Sequence, residues 1–154
     1  MYHECGLILV SLPFVPYNSP NQAREYIMNK KRFIIEMGTG VEQHGQDATR
    51  AAIKAVKDAI TRVSLVGLLE MVALENLNDM LVEVLIACPY PEEINTGEVL
   101  KALPFGHTEI RVVDGGMVVH GHELRELEDK SDEIIVANAA VTVSLDVEKI
   151  MIRG

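Results

Sequence analysis

Residues 33–63, FIIEMGTGVEQHGQDATRAAIKAVKDAITRV, hold the two patterns that decide the fold. The apolar run 33–37 is ended by Gly38, which predicts a short and mostly buried strand. Apolar side chains then recur at helical spacing and form one stripe: Ala52, Val56, Ala59, Ile60 and Val63. Asp47 precedes this stripe and is the expected N-cap, because its carboxylate can accept a hydrogen bond from the first turn of a helix. The stretch therefore predicts a strand, a glycine-rich corner and a helix.

Three further strand signals follow. Residues 81–88, LVEVLIAC, predict a strand that Pro89 ends, because proline cannot donate a hydrogen bond to a sheet. Residues 109–120, EIRVVDGGMVVH, predict a β-hairpin, since Asp-Gly is a favoured two-residue turn. Residues 135–147 alternate apolar and polar side chains, which is typical of a long strand with one polar face.

The helical signals after residue 63 are weaker. Residues 64–79, SLVGLLEMVALENLND, fit either a second helix or a short strand followed by a helical turn. Asn95 and Thr96 can cap a short helix that runs to Leu103. Together with the strands, these segments predict an α+β fold. We expect a two-layer sandwich with a mostly antiparallel sheet, helices on one face, and a ferredoxin-like or split βαβ core.

The chain divides near residue 30 in this interpretation. Residues 13–22, PFVPYNSPNQ, contain three prolines, and this composition breaks both helix and strand. We predict that residues 1–30 are an added arm or an upstream extension of the reading frame, and that residues 31–154 form a single domain. Deleting residues 1–27 should leave that domain folded.

Composition and charge exclude several partners. Of the 154 residues, 48% are hydrophobic and 24% are charged, which is typical of a globular protein, and the formal net charge is −9. Nucleic acids and anionic membranes need a basic surface, so we expect neither as a partner. The apolar run 6–15, GLILVSLPFV, is about half as long as a membrane span and no basic residue precedes it. Cys88 should be a buried free thiol in a reducing compartment, and we predict a cytoplasmic protein.

Charged residues lie inside the predicted strands. Glu36, Glu83, Glu109 and Arg111 occupy positions whose apolar neighbours point to the opposite side of the sheet. A solvated face would explain them, and so would a subunit interface in which the charges pair across the contact. Because helices cover only one face of the predicted sheet, we expect a homo-oligomer.

The corner itself is rich in glycine. The spacing of Gly38, Gly40 and Gly45 fits neither the dinucleotide-binding fingerprint nor the P-loop. In a ligand site, Gly38 and Gly40 would let the backbone approach a small molecule closely, and Gly45 would let the chain turn sharply. As purely structural residues, the same glycines would only permit positive φ angles.

Polar side chains at the corner suggest chemistry. Glu42 and His44 can converge on one point, where they would act as an acid–base pair or as ligands of a divalent metal ion. Thr39 is close by, and Asp47 can be a ligand in addition to its capping role. The structural alternative is that His44 bonds to backbone groups and holds the turn.

Two more histidines could add metal ligands. His120 and His122 follow the predicted hairpin, and a His-x-His pair in a strand points both rings to one face, as many metal sites require. The charged run 123–133 that follows favours an exposed loop instead.

The stretch GTGVEQHG, residues 38–45, resembles the signature GxGxDxHG of a family of small conserved hypothetical proteins from bacteria and plants, whose function is unassigned. The matching residues are Gly38, Gly40, His44 and Gly45. Glu42 stands where the family shows Asp, which keeps the carboxylate but lengthens its reach. The similarity extends from about Lys31 through the LPFG and DGG segments. The resemblance implies a site at this corner and no particular reaction.

Three functions agree with these residues. The first is an enzyme that acts on a small polar metabolite through Glu42 and His44, as a hydrolase, lyase or isomerase. The second is an oligomer that binds a small molecule or a metal ion without turnover. The third is a structural assembly protein in which the corner shapes an interface.

Overall fold

The computed structural model describes residues 30–72 and 74–147. The predicted arm 1–30 lies outside the described residues, except for Lys30. The described elements are, in chain order, β1 (Lys30–Glu42), α1 (Ala48–Thr61), α2 (Val66–Glu70), a 3₁₀ turn (Leu77–Asp79), β2 (Leu81–Cys88), a 3₁₀ turn (Pro91–Glu93), α3 (Thr96–Leu100), β3 (His107–Asp114), β4 (Met117–His120), a 3₁₀ turn (Arg125–Leu127) and β5 (Glu133–Asp146).

The strands form one sheet of order β1-β5-β2-β3, with β4 beside the first part of β5. β5 runs antiparallel to both β1 and β2, so β1 and β2 are parallel to each other with β5 between them. With α1 in the connection from β1 to β2, this arrangement is a split βαβ unit. The helices share one hydrophobic core with a single face of the sheet. The predicted two-layer α+β sandwich is confirmed.

α1 is an alanine-rich helix that packs on β1 and β5. The Asp47 carboxylate accepts a hydrogen bond from the Arg50 backbone N–H at 3.0 Å, so the predicted N-cap is confirmed. The buried residues of α1 are mostly small: Ala48, Thr49, Ala51, Ala52, Ala55, Val56 and Ala59. Because the distance between packed elements depends on the side chains between them, these small residues bring α1 close to the sheet.

The hairpin predicted over residues 109–120 is wrong. β3 is parallel to β2, whereas β4 and β2 are both antiparallel to β5, so β3 and β4 run in the same direction. The chain at Gly115 and Gly116 steps sideways by one strand position instead of reversing. Gly116 has a φ angle of 66°, and a Cβ there would overlap the Val136 carbonyl oxygen. Glycine is therefore needed for this step.

The physical reason for the step is the early end of β2. β2 stops at Cys88, because Pro89 follows and has no N–H to donate to β5. β5 extends beyond this point, and β4 pairs with the part that β2 leaves open, with Met117 opposite Val136. Asp-Gly is thus a poor guide here, because the sheet offers a place for the chain to continue forward.

β1 presents most of its apolar side chains to the open face of the sheet, which is opposite to the prediction, whereas Ile34 packs against the core. Ile35 and Met37 are 50% and 60% exposed, whereas Gly38 is buried against α1. Glu36 therefore lies on the helix-covered face, and its predicted place on the open face is wrong. The apolar run misled the prediction because the residues that approach α1 most closely are glycines, which have no hydrophobic side chain.

The other three predicted charges do lie on the open face. Glu83 is directly opposite Glu109 in the parallel β2–β3 pair, and Arg111 is farther along β3. Lys30 Nζ pairs with Glu83 at 2.9 Å. Toward β1 and β4, the exposed side chains of this face are apolar except for Thr39: Ile35, Met37, Val41, Met117 and Val119. The open face is charged on one side and apolar on the other.

The remaining predictions fit with small shifts. Residues 64–79 form α2 and a 3₁₀ turn, which is nearer to the helical alternative. Asn95 is the N-cap of α3, which ends at Leu100. The strand predicted over 135–147 spans Glu133–Asp146. No helix among the described residues is long and apolar enough to cross a membrane.

Candidate functional site

The glycine-rich corner lies at the end of β1, at the same end of the sheet as the carboxyl ends of the parallel strands β2 and β3. In layered α/β structures, ligands tend to bind at this end. β1 ends at Glu42, the chain turns through residues 43–47, and α1 begins at Ala48. In the first part of the corner, residues 38–42, Gly38, Gly40 and Glu42 face α1. In the second part, residues 43–47, Gly45 and Gln46 contact the loop between β4 and β5.

Gly38 and Gly40 are packing residues. A Cβ at Gly38 would overlap the Ala55 carbonyl oxygen, and one at Gly40 would overlap the Ala55 nitrogen. Only glycine lets the two backbones come this close. The structure thus gives these glycines a role in seating α1 on β1, which is a different reason from the expected approach of a ligand. Gly45 has a φ angle of 79° and makes the sharp turn that was predicted for it.

Glu42 is buried and paired with cations of α1. Its side chain is 5% exposed, and Oε2 lies 2.7 Å from Lys54 Nζ. Arg50 Nη1 lies 3.6 Å from Oε1. These cations compensate the buried negative charge. Among the described residues, no hydrogen bond or ion pair joins Glu42 to His44, so the predicted pairing of these two side chains is not formed.

Side chains of α1 also protect the outer edge of β1. The Thr39 backbone N–H donates to Asp58 Oδ2 at 2.8 Å, and Lys54 Nζ donates to the Val41 carbonyl oxygen at 2.8 Å. These bonds satisfy backbone groups that an edge strand leaves open. The Thr39 hydroxyl accepts a hydrogen bond from the Asn138 amide at 3.1 Å. The polar groups of Thr39 are thus engaged within the fold.

His44 is paired with Asp129, a carboxylate that was not predicted to be near it. His44 Nδ1 lies 3.1 Å from Asp129 Oδ2 and 3.3 Å from Oδ1. The His44 side chain is 37% exposed, whereas the Asp129 side chain is 1% exposed. The other ring nitrogen, Nε2, has no partner among residues 30–72 and 74–147. The imidazole is therefore held at Nδ1, and Nε2 is open.

Backbone N–H groups hold Asp129 as a hydrogen-bond acceptor. The Leu124 N–H donates to Oδ2 at 2.8 Å, and the Gly45 N–H donates to Oδ1 at 2.9 Å. These bonds, together with those of His44 and Gln46, lower the pKa of Asp129 from 3.8 to about 2. Because an ionised carboxylate can only accept, His44 Nδ1 is the donor, and Nε2 of the neutral ring carries the lone pair.

Gln46 completes the attachment of the corner to the following loop. Its Oε1 accepts hydrogen bonds from the N–H groups of Lys130 at 2.6 Å and Ser131 at 3.3 Å. Its Nε2 donates to the Glu133 carbonyl oxygen at 2.9 Å. Gln46 is buried and has a φ angle of 48°, which side-chain-bearing residues rarely adopt. These bonds, together with the one from its Nε2 to Asp129 Oδ1 at 3.4 Å, hold it in this conformation.

Two further groups lie near this end of the sheet. The Tyr90 hydroxyl donates to both carboxylate oxygens of Glu133, at 3.1 and 3.2 Å, and this hydrogen bond raises the pKa of Tyr90. Cys88 is the predicted buried free thiol. Burial raises its pKa to about 11, so the reactive thiolate is scarce at neutral pH.

The predicted metal ligands do not come together. His120 Nδ1 pairs with Asp132 at 3.2 Å on the surface. His122 lies beyond the end of β4, so the premise that both rings share one strand is wrong. Within the described part of the chain, no three His, Cys, Asp or Glu side chains are grouped so that they could hold a metal ion. His44 and Glu42 take part in separate contacts.

Asp129 and Gln46 are the site residues that sequence reasoning missed. Asp129 lies in the charged run 123–133, which was expected to be solvated, and 84 residues separate it from Gly45. A single sequence holds no signal that joins positions so far apart. The only hint for Gln46 was its place between Gly45 and the N-cap Asp47, where side chains often bond to nearby backbone.

The chain belongs to a family described as conserved hypothetical protein (Lin0512_fam), whose model matches residues 32–143. It is also similar to a solved structure, that of an FtsZ-like protein of unknown function from Nostoc punctiforme, with 49% sequence identity and a TM-score of 0.71. This similarity covers 76% of the present chain and 97% of the other. No curated protein matches the chain. The predicted resemblance to conserved hypothetical proteins without an assigned function is confirmed.

Proposed function

We propose that this member of the Lin0512_fam family acts on a small polar metabolite at the corner formed by residues 43–47 and 124–131, with His44 as the proton-transferring group. The observation that carries the proposal is the contact between the part-exposed His44 ring and the buried Asp129 carboxylate. The reaction class is a hydrolysis, an elimination or an isomerisation, each of which a single acid–base group can assist.

The His44–Asp129 contact has the features of an oriented imidazole. The carboxylate fixes the ring through Nδ1 and favours the tautomer whose Nε2 can accept a proton. The carboxylate is itself fixed by the N–H groups of Leu124 and Gly45, so the ring is positioned before a substrate arrives. In this proposal His44 contacts the substrate, and Asp129 is a positioning residue.

Glu42 has no proton-transfer role in this proposal. Its carboxylate is buried against Lys54 and Arg50, on the side of β1 that faces α1. It supports the end of β1 from which the corner begins. A carboxylate paired with cations in this way cannot serve His44, whose carboxylate partner is Asp129.

The experiment compares two His–Asp contacts of one protein. His120 Nδ1 lies 3.2 Å from Asp132 Oδ1, close to the 3.1 Å of the His44 contact, but the Asp132 side chain is 50% exposed, so this pair is a matched surface control. A library of small polar metabolites is screened by thermal shift, and NMR then follows turnover of each compound that raises Tm. We expect His44→Ala to remove turnover and His120→Ala to leave it unchanged.

Asp129→Asn separates positioning from simple stability. We expect it to lower kcat more than it raises KM and to change the pH profile of kcat, because the ring loses its fixed tautomer while its contact with the substrate remains. Turnover that survives His44→Ala, or a library in which no compound is bound or converted, would contradict the proposed function.

Self-association is favoured by a separate observation. Among the described residues, the open face carries five large apolar side chains that are exposed: Ile35, Met37, Val41, Met117 and Val119. Val41 and Met117 both lie beside Val136, and exposed apolar side chains grouped on one face are typical of an interaction site. We propose that a second copy of the chain covers it, through apolar contact instead of the charge pairing expected from sequence.

Light scattering at micromolar concentration tests this proposal. We expect an oligomer for the unchanged chain and a shift toward monomer for Met37→Glu, which places a charge in the apolar part of the face. Val66→Glu is the control, because Val66 is 56% exposed on α2, away from the open face. A monomeric unchanged chain would refute self-association, and an equal effect of both variants would refute the interface.

A further inference from the structure

A cavity lies between the two layers, at the end of the sheet opposite to the His44 corner. Its volume is about 240 Å³. The sheet supplies one side, with Ile34, Val82 and Val143, and Ile60 at the end of α1 supplies part of the other. Glu36 is the only charged residue in the described wall. Glu36 and Glu42 are about 20 Å apart along β1, at ~3.3 Å per strand residue, so the cavity is separate from the corner.

The way α1 sits on β1 explains why the cavity forms here. At Gly38 and Gly40 the two backbones are in contact, and no side chain fits between them. Toward Glu36 the helix comes to its end at Thr61, and the chain turns away through Val63. The space between the layers therefore widens, and the surrounding side chains do not fill it. The cavity therefore results from the close packing of α1 on β1 at Gly38 and Gly40.

We propose that this cavity binds a small amine, whose apolar body fills the space and whose protonated nitrogen pairs with Glu36. An apolar cavity of about 150 Å³, engineered in another protein, takes up benzene, so the present volume suits an aromatic or aliphatic group with a short chain. The one carboxylate in an apolar wall selects the charge of the ligand, because a cation gains an ion pair there and an anion is repelled.

Glu36 is available for such a ligand. Among residues 30–72 and 74–147 it makes no hydrogen bond and no ion pair. The cation whose charge acts on it, Arg62, is hydrogen-bonded to Asp58 on α1. A bound ammonium group would therefore give Glu36 a partner without breaking an existing contact.

Three probes of similar shape test the proposal on the full chain: 2-phenylethylamine, 2-phenylethanol and phenylacetate. Titration calorimetry should show that the amine binds roughly tenfold more tightly than the alcohol, and that phenylacetate does not bind. Glu36→Gln should remove the advantage of the amine and keep the affinity for the alcohol. Glu109→Gln, a matched change on the open face, should alter neither affinity.

Filling the cavity tests its location. Val63→Trp should remove binding of the amine and the alcohol, and Leu65→Trp is a second filling variant if the first lowers Tm. Binding that survives a folded filling variant would place the probes elsewhere and overturn the site. Equal binding of the amine and phenylacetate, an amine affinity unchanged by Glu36→Gln, or no binding at all would also overturn the proposal. His44→Ala should change none of these affinities, so the two sites are tested separately.

Discussion

The octapeptide 38–45 has two halves that are held by different parts of the molecule. In the first half, Gly38, Gly40 and Glu42 face α1, the next element along the chain. In the second half, His44 and Gly45 face a loop that follows more than eighty residues later, with Gly45 and Asp129 separated by 84 positions. The first half seats a helix on a strand. The second half fastens a distant loop and leaves one imidazole nitrogen open.

This difference teaches that a glycine-rich corner between a strand and a helix does not need a ligand to explain its glycines. The close approach of α1 accounts for Gly38 and Gly40. The hydrogen bonds of Gln46 and the Gly45 N–H already attach the distant loop. Packing and loop attachment do not explain why the His44 ring is part-exposed with Nε2 open. We therefore look for function at this ring.

The strongest test of the first half is Gly40→Ala. The new Cβ would overlap the Ala51 carbonyl oxygen and the Ala55 nitrogen, both of them helix backbone that cannot move alone. We expect a loss of about 3 kcal/mol or more in the free energy of unfolding, measured with urea. Gly97→Ala is the control, because a Cβ in α3 meets only Asn95 Oδ1 at 3.4 Å. A stable Gly40→Ala protein would show that α1 is not seated by glycine.

The strongest test of the second half is the acid sensitivity of Asp129→Asn. The folded-state pKa of about 2 lies below the ordinary 3.8, so Asp129 adds stability above pH ~4 that is lost as the pH falls toward ~2. Urea unfolding across this range should show a less stable variant at neutral pH and a shallower loss on acidification. The pKa of Asp58 is also lowered to about 2, by its bonds with Arg62 and the Thr39 N–H, so part of the slope should remain.

The matched control for this test is Asp132→Asn, whose carboxylate is half exposed beside His120. We expect its unfolding curve to follow that of the unchanged protein at every pH. An Asp129→Asn protein that behaves in the same way would show that the two His–Asp contacts are equivalent.

Glu42→Gln distinguishes the halves by their effect on function. The amide keeps the shape of the side chain but removes the charge that Lys54 and Arg50 face. Both cations are mostly exposed and can turn to water, so we expect a loss of only about 1 kcal/mol in unfolding free energy. Ligand response in the thermal-shift screen should be unchanged. If the variant loses this response, Glu42 takes part in ligand binding.

His44→Ala has the smallest expected effect on stability. A part-exposed side chain typically contributes less than ~1 kcal/mol, and the Asp129 carboxylate keeps its backbone donors in the variant. The same variant should lose the thermal-shift response to every metabolite that the unchanged protein converts. If His44→Ala instead unfolds the protein and no metabolite is ever bound, His44 has only a structural role in the turn. His120→Ala should be neutral in both measurements.

Local chemistry was readable from the sequence. Asp47 caps α1 because capping depends only on residues within one turn, and Gly45 makes its turn because positive φ is a property of one residue. The placement of His44 at a strand–helix corner followed from the same local patterns. These features do not depend on what the rest of the chain does.

Features that depend on distant partners were not readable. The direction of β4 depends on where Pro89 ends β2, and Asp-Gly carries no information about that. The face on which Glu36 lies depends on how closely α1 approaches, and hydrophobic alternation cannot measure the approach to a glycine. The carboxylate partner of His44 depends on a loop contact between residues 85 positions apart. The sequence therefore paired His44 with Glu42, whereas its carboxylate partner in the fold is Asp129, and the functional role of this corner stays a prediction.

The position of β5 in the sheet affects how the protein can fold during its synthesis. β5 is the last described strand in the chain, and it alone joins β1 to β2, with Thr39 and Asn138 in contact across 99 residues. During synthesis, the backbone groups of β1 and β2 that pair with β5 have no strand partner until β5 has been made. Such long-range pairing makes folding slow and exposes unpaired strands meanwhile. The ribosome must therefore deliver nearly the whole domain before its sheet can close.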